Sequence, residues 1–318
     1  MCSSDLAQPD GNPDVIVMRY GLSQAQEVRE VEQGKADWTA DSVPGTLMPE
    51  VTTRYPSQWY SLISPDTEML QLNTTIAPFN DIRVRQALNL ALDRAALVRM
   101  YGGPAGATPT CQILPPGVFG HRPYCPYTRR PSADGRWHAP DLARARQLVA
   151  ASGTRGDRIT VYGVKDGGVT GTTALRYTTQ VLRELGYRAQ FRILPRGYYE
   201  KASPATWHRI QIAAISGEDT NPIDFFANDF GCAAPYAYGH GWFCDPRLDH
   251  EVQRAVALYA TDKTAARLLA TKIDREIVDR ALAVPLVNLH LFDFFSARVH
   301  GYVANPILGL IADQVSVR

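Results

Sequence analysis

Hydrophobic positions follow two kinds of repeat along this chain, and the switches between them sketch its architecture. From Asp81 onward, Val84, Ala87, Leu88, Ala91, Leu92 and Ala95 recur at three- and four-residue steps, the spacing of one helix face. Asn80 or Asp81 can accept the first free N–H groups, and Gly102-Gly103-Pro104 stops the run. This predicts one long helix with Arg83, Arg85, Asp93 and Arg94 on a solvated face. A second helix is expected from Pro140-Asp141, faced by Leu142, Ala145, Leu148 and Val149 and ended by Ser152-Gly153. Beyond it, "RITVYG" from Arg158 reads as a strand, "TALRYTTQVLRELG" as a helix closed by Gly186, and "RAQFRIL" as a strand ending before Pro195. That is a βαβ unit, so its strands should be parallel and its crossover right-handed. "RIQIAAI", from Arg209 to Ile215, is a further strand and leads into the polar turn "SGEDTNP". Two helices ("RLDHEVQRAVALYA", "KTAARLLATKIDREIVDRAL"), the apolar strand "AVPLVNLHLFDFF" and a short closing strand "QVSVR" follow. The alternation indicates an α/β protein with no internal repeat.

The first residues do not fit a signal peptide. "MCSSDLAQPDGNPD" has neither a basic nor an apolar region, and nothing hydrophobic precedes Cys2 to make it a lipoprotein cysteine. The chain then enters "DVIVMRY", whose apolar run from Val15 to Tyr20 reads as an interior strand, an abrupt start that suggests the true beginning is missing. No stretch reaches the roughly 18 apolar residues of a membrane span.

At 318 residues and 45% hydrophobic, the chain can bury a large core and by length holds about two structural units. Its 33 basic and 32 acidic side chains look interspersed, with a net charge of +1, so no footprint for nucleic acid or anionic membrane is expected. Cys111 and Cys125 bracket one Pro/Gly/aromatic loop, and Cys232 and Cys244 another. Such loops have little core of their own, and a bridge across about 15 residues contributes about 3 kcal/mol by the chain-entropy estimate. Two local disulfides fit and would place the protein outside the cytoplasm, although reduced or buried thiols remain the alternative. Zinc is not expected, because neither pair has the short Cys-x-x-Cys spacing.

The candidate site is the turn after the "RIQIAAI" strand. In open α/β sheets ligands sit beyond the carboxyl ends of strands, and Glu218 and Asp219 emerge there as adjacent carboxylates suited to a cation; the alternative is that Asp219 organises the turn. The seven histidines form no ligand-spaced group, and no Gly-x-Ser-x-Gly elbow, His-Glu-x-x-His helix or P-loop occurs, so neither an enzyme nor a metal or cofactor site is expected. His240, in a tyrosine- and glycine-rich loop, is the one histidine to watch.

"LNTTIAPFNDIRVRQALNLALDRAALV" resembles the signature region of bacterial extracellular solute-binding proteins of family 5, the dipeptide-, oligopeptide- and nickel-binding components of ABC importers. "EQGKADW", "ILPPG", "DLARARQLVAASG", "QVLRELGY" and "VPL…VHGY" extend the likeness over nearly the whole chain. The resemblance implies a two-lobed, class II periplasmic-binding-protein-like fold, the second lobe complete and the first partial. Residues 1–72 and 286–318 would belong to the first lobe and 73–285 to the second, with Asn73 to Thr75 as a crossover strand. It implies non-catalytic, extracytoplasmic binding of a small peptide or related solute by lobe closure. It further implies delivery to ABC membrane subunits by a monomer; a ligand-sensing module of a larger regulatory protein is the alternative. Family members commonly carry an aspartate four residues before a proline here, which in peptide binders pairs with the ligand's α-ammonium group; Glu218 stands four before Pro222 and Asp219 three before it, so the acid is present but spacing and residue type depart from the pattern. Tyr236, Tyr238 and Trp242, with Tyr198 and Tyr199, would be flat apolar pocket walls.

Overall fold

A computed structural model describes residues 12–164, 168–194, 210–218, 222–232, 242–305 and 309–318, without the side chains of 164, 168–171 and 213–225. Its centre is a six-stranded sheet in the order β2-β6-β1-β5-β3-β4. β1 is Trp59–Leu72, β2 Ala107–Pro109, β3 Arg158–Val164, β4 Arg188–Leu194, β5 Ile212–Glu218 and β6 Ala283–Phe294. β3 and β4 pair in parallel around an intervening helix, as the periodicity predicts, and β5 joins β3 in parallel. The β5 strand begins at Ile212, a little later than the pattern "RIQIAAI" suggests.

β1 and β6 are the long strands, 14 and 12 residues, and they pair antiparallel from Trp59↔Phe294 to Gln71↔Ala283. The sequence does not announce β1, because Pro65 and Asp66 interrupt its alternation; the ladder is accordingly irregular between Ile63 and Thr67. Asn73–Thr75, expected as a strand, instead form a turn just past it, in which Asn73 Oδ1 accepts from the Thr75 N–H (3.1 Å) and hydroxyl (2.6 Å).

Helices cover both faces of this sheet. Leu70, Leu72, Val161, Ile212, Val284 and Leu286 turn to one core shared with α3 (Ile82–Ala91), α4 (Arg94–Met100), α5 (Leu142–Ser152) and α6 (Gly168–Glu184). Met69 and Ala283 turn to the other, packed by α7 (Pro222–Phe230), α8 (Pro246–Thr261) and α9 (Lys263–Asp279). A third, separate core joins α1 (Gln24–Glu32) and α2 (Met48–Arg54) to Phe292 and Phe294 at the far end of β6. Thus β1 and β6 run out of two cores and into a third.

The long helix expected after Asp81 is two helices. Leu92 takes an extended conformation (ψ 123°) and Asp93 caps α4, its Oδ1 accepting from the N–H groups of Ala95 (2.9 Å) and Ala96 (3.1 Å). That break turns Arg94 inward. Far from being solvated, Arg94 is fully buried and donates to the carbonyls of Thr110 (2.6 Å), Pro285 (3.0 Å) and Asn89 (3.0 Å), while buried Arg85 donates to those of Phe79, Arg280 and Ala281. Helical period alone cannot separate a solvent face from one laid against neighbouring loop carbonyls. Arg83 behaves as expected, half exposed and paired with Asp81 at 2.6 Å.

Two further expectations fail. Val15–Tyr20 forms no strand; Val15 and Val17 are each 75% exposed and Tyr20 87%. Nor are the charges interspersed. Residues 81–194 hold 17 basic and 7 acidic side chains, whereas the remainder holds 16 basic and 25 acidic, so a net of +1 hides a segment of +10.

Candidate functional site

The parallel strands β3, β4 and β5 end on one edge of the sheet, at Val164, Leu194 and Glu218. β3 leads to α6 on one face and β5 to α7 on the other, and in open α/β sheets ligands sit beyond strand ends arranged in this way. Glu218 is the last residue of β5 and its backbone pairs with that of Asp66 on β1. Its side chain, together with Asp219, Tyr198, Tyr199, Tyr236, Tyr238 and His240, lies outside the described parts of the structure. Trp242 is described. It is only 3% exposed, and its carbonyl accepts a 2.5 Å hydrogen bond from Thr74, so its ring offers almost no surface to a ligand.

The described residues add groups that sequence reasoning missed. Beside the end of β5, Asp66 lies in the irregular stretch of β1, and Ser64 donates to its carboxylate. One strand over, Asn288 donates to the Asp66 carbonyl (3.3 Å) and to Thr67 Oγ1 (2.8 Å), and Thr67 donates to the Ile113 carbonyl (2.7 Å). A cavity of about 250 Å³ sits at this level, bounded by Ser64, Asp66 and His290 of the long strands, Met48 of α2 and Tyr101 after α4. Only the "SPD" interruption in an otherwise alternating segment hinted at it.

His290 is clamped at both ring nitrogens. Ser61 Oγ gives its proton to the Ala105 carbonyl (2.7 Å), so Nδ1, 3.1 Å away, is the N–H that donates to Ser61; Nε2 then accepts from Thr108 at 2.7 Å. Burial holds its pKa below the ordinary 6.5. Burial, reinforced by the charge of Glu68, likewise raises Tyr101 well above its usual range.

Both expected disulfides are formed, Cys111–Cys125 and Cys232–Cys244. The second joins the end of α7 to the approach of α8 and so fixes the two ends of the segment carrying Tyr236 and Tyr238. The first closes a loop gripped by Asp274 of α9. This buried carboxylate accepts from Gln112 Nε2 (2.7 Å) and from the N–H groups of Ile113 (3.0 Å) and Leu114 (3.3 Å), yet burial outweighs these donors and pushes its pKa up to about 7. Among the described residues no group of His, Cys, Asp or Glu is arranged to hold a metal, and no helix is long and apolar enough to cross a membrane.

The chain is similar to peptide-binding proteins. It is 24% identical over 245 residues to the probable di/tripeptide-binding protein 5 of Pseudomonas aeruginosa, covering 76% of this chain and 44% of that protein. It is 29% identical over 259 residues to the glutathione-binding protein GsiB of Salmonella paratyphi A, covering 78% and 47%. Among solved structures, the clavulanic acid biosynthesis oligopeptide binding protein 2 superposes with a TM-score of 0.80 at 18% identity, over 93% of this chain and 55% of that one. HbpA2 from Haemophilus parasuis gives 0.76 at 17% identity, over 93% and 56%. The fold is therefore periplasmic-binding-protein-like, and the chain spans about half the length of the relatives it matches. The family model for bacterial extracellular solute-binding proteins, family 5 middle, matches residues 7–236, and the chain belongs to that family.

Proposed function

We propose that this protein binds a short peptide or related solute outside the cytoplasm and presents it to the membrane subunits of an ABC importer, without catalysing a reaction. The carrying observation is the position of Glu218. It ends β5 beside Asp66, at the level where β1 and β6 leave the two helix-covered cores for the third. A ligand bound there meets both bodies and favours their closed arrangement by its differential affinity. On this reading the lobes meet at Ser64–Asp66 and Asn288–His290, a few residues inside the 73 and 285 expected from the resemblance, because the ladder irregularity and the change of core coincide there. Glu218 pairs with the ligand's ammonium group, and a ligand without one would leave a carboxylate uncompensated in a closing cleft. Support comes from relatives described as di/tripeptide- and glutathione-binding proteins.

The test is calorimetry and thermal shift of the chain with di- and tripeptides and with their N-acetylated forms. Free peptides should bind and raise the melting temperature; acetylation or Glu218→Gln should weaken binding by about thirtyfold to a few thousandfold, as expected for loss of one partner of a desolvated ion pair. Equal binding of free and acetylated peptides would sink the proposal.

A further inference from the structure

The larger of the two irregularities between β1 and β6 lies next to the proposed ligand carboxylate. Ile63 pairs with His290 and Thr67 with Asn288, so Ser64, Pro65 and Asp66 of β1 stand opposite Leu289 alone. Such an excess bends a strand and leaves backbone groups without ladder partners. On its other side β1 carries β5: Asp66 pairs with Glu218, the last residue of that strand, and Thr67 with Gly217. The point at which Glu218 leaves the sheet is therefore set by how the 64–66 bulge is held.

Two buried side chains hold it. Asn288 is 1% exposed and Thr67 0%. The Asn288 amide donates to the Asp66 carbonyl (3.3 Å), standing in for the ladder partner that β6 does not offer there, and to Thr67 Oγ1 (2.8 Å). Thr67 in turn donates to the Ile113 carbonyl (2.7 Å). Ile113 is itself fixed, because Asp274 of α9 accepts from its N–H (3.0 Å) and the Cys111–Cys125 bridge closes its loop. A chain of hydrogen bonds thus runs from α9 to the residue beside Glu218. Burial alone does not call for these residue types: valine has the shape of threonine and leucine that of asparagine, and each is commoner inside proteins. A buried polar group costs stability unless its bonds are made, and a completed network returns one fixed arrangement.

We infer that Thr67 and Asn288 are positioning residues for solute binding: they hold the 64–66 bulge and, through Asp66, fix the backbone from which Glu218 meets the ligand's ammonium group. Neither needs to touch the solute. These roles rest on the reading that Glu218 receives a peptide's ammonium group, and they assign the residues that keep it in place to do so.

Calorimetry tests them, using the di- and tripeptides that the wild-type chain binds best, each free and N-acetylated. Thr67→Val keeps the shape and removes the hydroxyl, and it should shrink the preference for free over acetylated peptide about threefold to tenfold, the worth of one hydrogen bond. Thr67→Ser should restore it. Asn288→Ala, which releases the Asp66 carbonyl but spares the bond from Thr67 to Ile113, should act in the same direction as Thr67→Val. Thr178→Val removes an equally buried hydroxyl, bonded to the Ala174 carbonyl (2.8 Å) within α6, and should leave the preference unchanged. A smaller folded fraction lowers both affinities together and does not move their ratio, and melting curves identify it. If the wild type prefers free peptide and Thr67→Val and Asn288→Ala leave that preference intact, the two residues do not position Glu218, and the peptide-binding reading stands without them. An equal loss in Thr178→Val would also overturn the assignment. A wild type that does not distinguish free from acetylated peptide would overturn both.

Discussion

Arg94→Met is the sharpest test of how the signature segment is built. Arg94 is fully buried, and its guanidinium donates to oxygen atoms of neutral groups: the carbonyls of Thr110, Pro285 and Asn89 and, at 3.5 Å, the Asn89 side-chain oxygen. Burial lowers its pKa to about 9, still charged at neutral pH. Methionine keeps most of the stem but strands three buried carbonyls, at about 1–3 kcal/mol each, while relieving an ion desolvated at a cost of several kcal/mol. The balance predicts a net loss of about 3–5 kcal/mol, near the top of the range for single substitutions. At about 2–3 °C per kcal/mol in a chain of this size, that is a fall of about 6–15 °C in melting temperature. Chemical denaturation and thermal melts followed by circular dichroism would read both quantities. Arg83→Met is the matched control, because Arg83 is half exposed and its ion pair is worth under about 1 kcal/mol. Arg94→Lys, with a compact ammonium in place of the fork, should fall between. If Arg94→Met and Arg83→Met lose equal stability, the buried carbonyl cradle does not hold the α3–α4 corner and the reasoning fails.

Replacing Cys111 and Cys125 with serine opens a loop of 14-residue separation and should cost about 3 kcal/mol, while thiol titration of the folded, unreduced protein should find four of five cysteines unreactive. Asp274 holds its proton in the folded state up to about pH 7 but releases it in the ordinary range near 3.8 when unfolded. Its contribution is therefore full below about pH 4 and declines as pH rises to about 7, by at most about 4 kcal/mol. Asp274→Asn should flatten that slope in a stability–pH profile; an unchanged slope would refute the assignment. Gly102→Ala should destabilise the contact between α2 and the end of α4, because φ is +95° and an added Cβ would meet Met48 Sδ at 2.4 Å and Gly45 Cα at 2.9 Å. A melt indistinguishable from wild type would show that the contact gives way freely.

The sequence by itself determined whatever depends on neighbours along the chain. Alternation and helical period gave the parallel β3–α6–β4 unit, the two C-terminal helices and β6, because burial of one face imposes a period on local sequence. The two disulfides were legible because each closes within a short loop. The family was legible in the run from Leu72 to Val98, and Glu218 was marked as a candidate because it follows a strand. Tertiary structure decided what distant segments do to one another. Arg94 reads as solvated until carbonyls 16 and 191 residues away close over it, and Val15–Tyr20 reads as an interior strand, yet Val15, Val17 and Tyr20 stand exposed. β1 was hidden by Pro65 and Asp66, the very residues that place an irregularity opposite the end of β5. Charge separation was hidden in a total of +1 but is legible in the sequence itself, since the excess falls in the contiguous segment 81–194. Periodicity records which face of an element is buried; only the fold supplies what it is buried against.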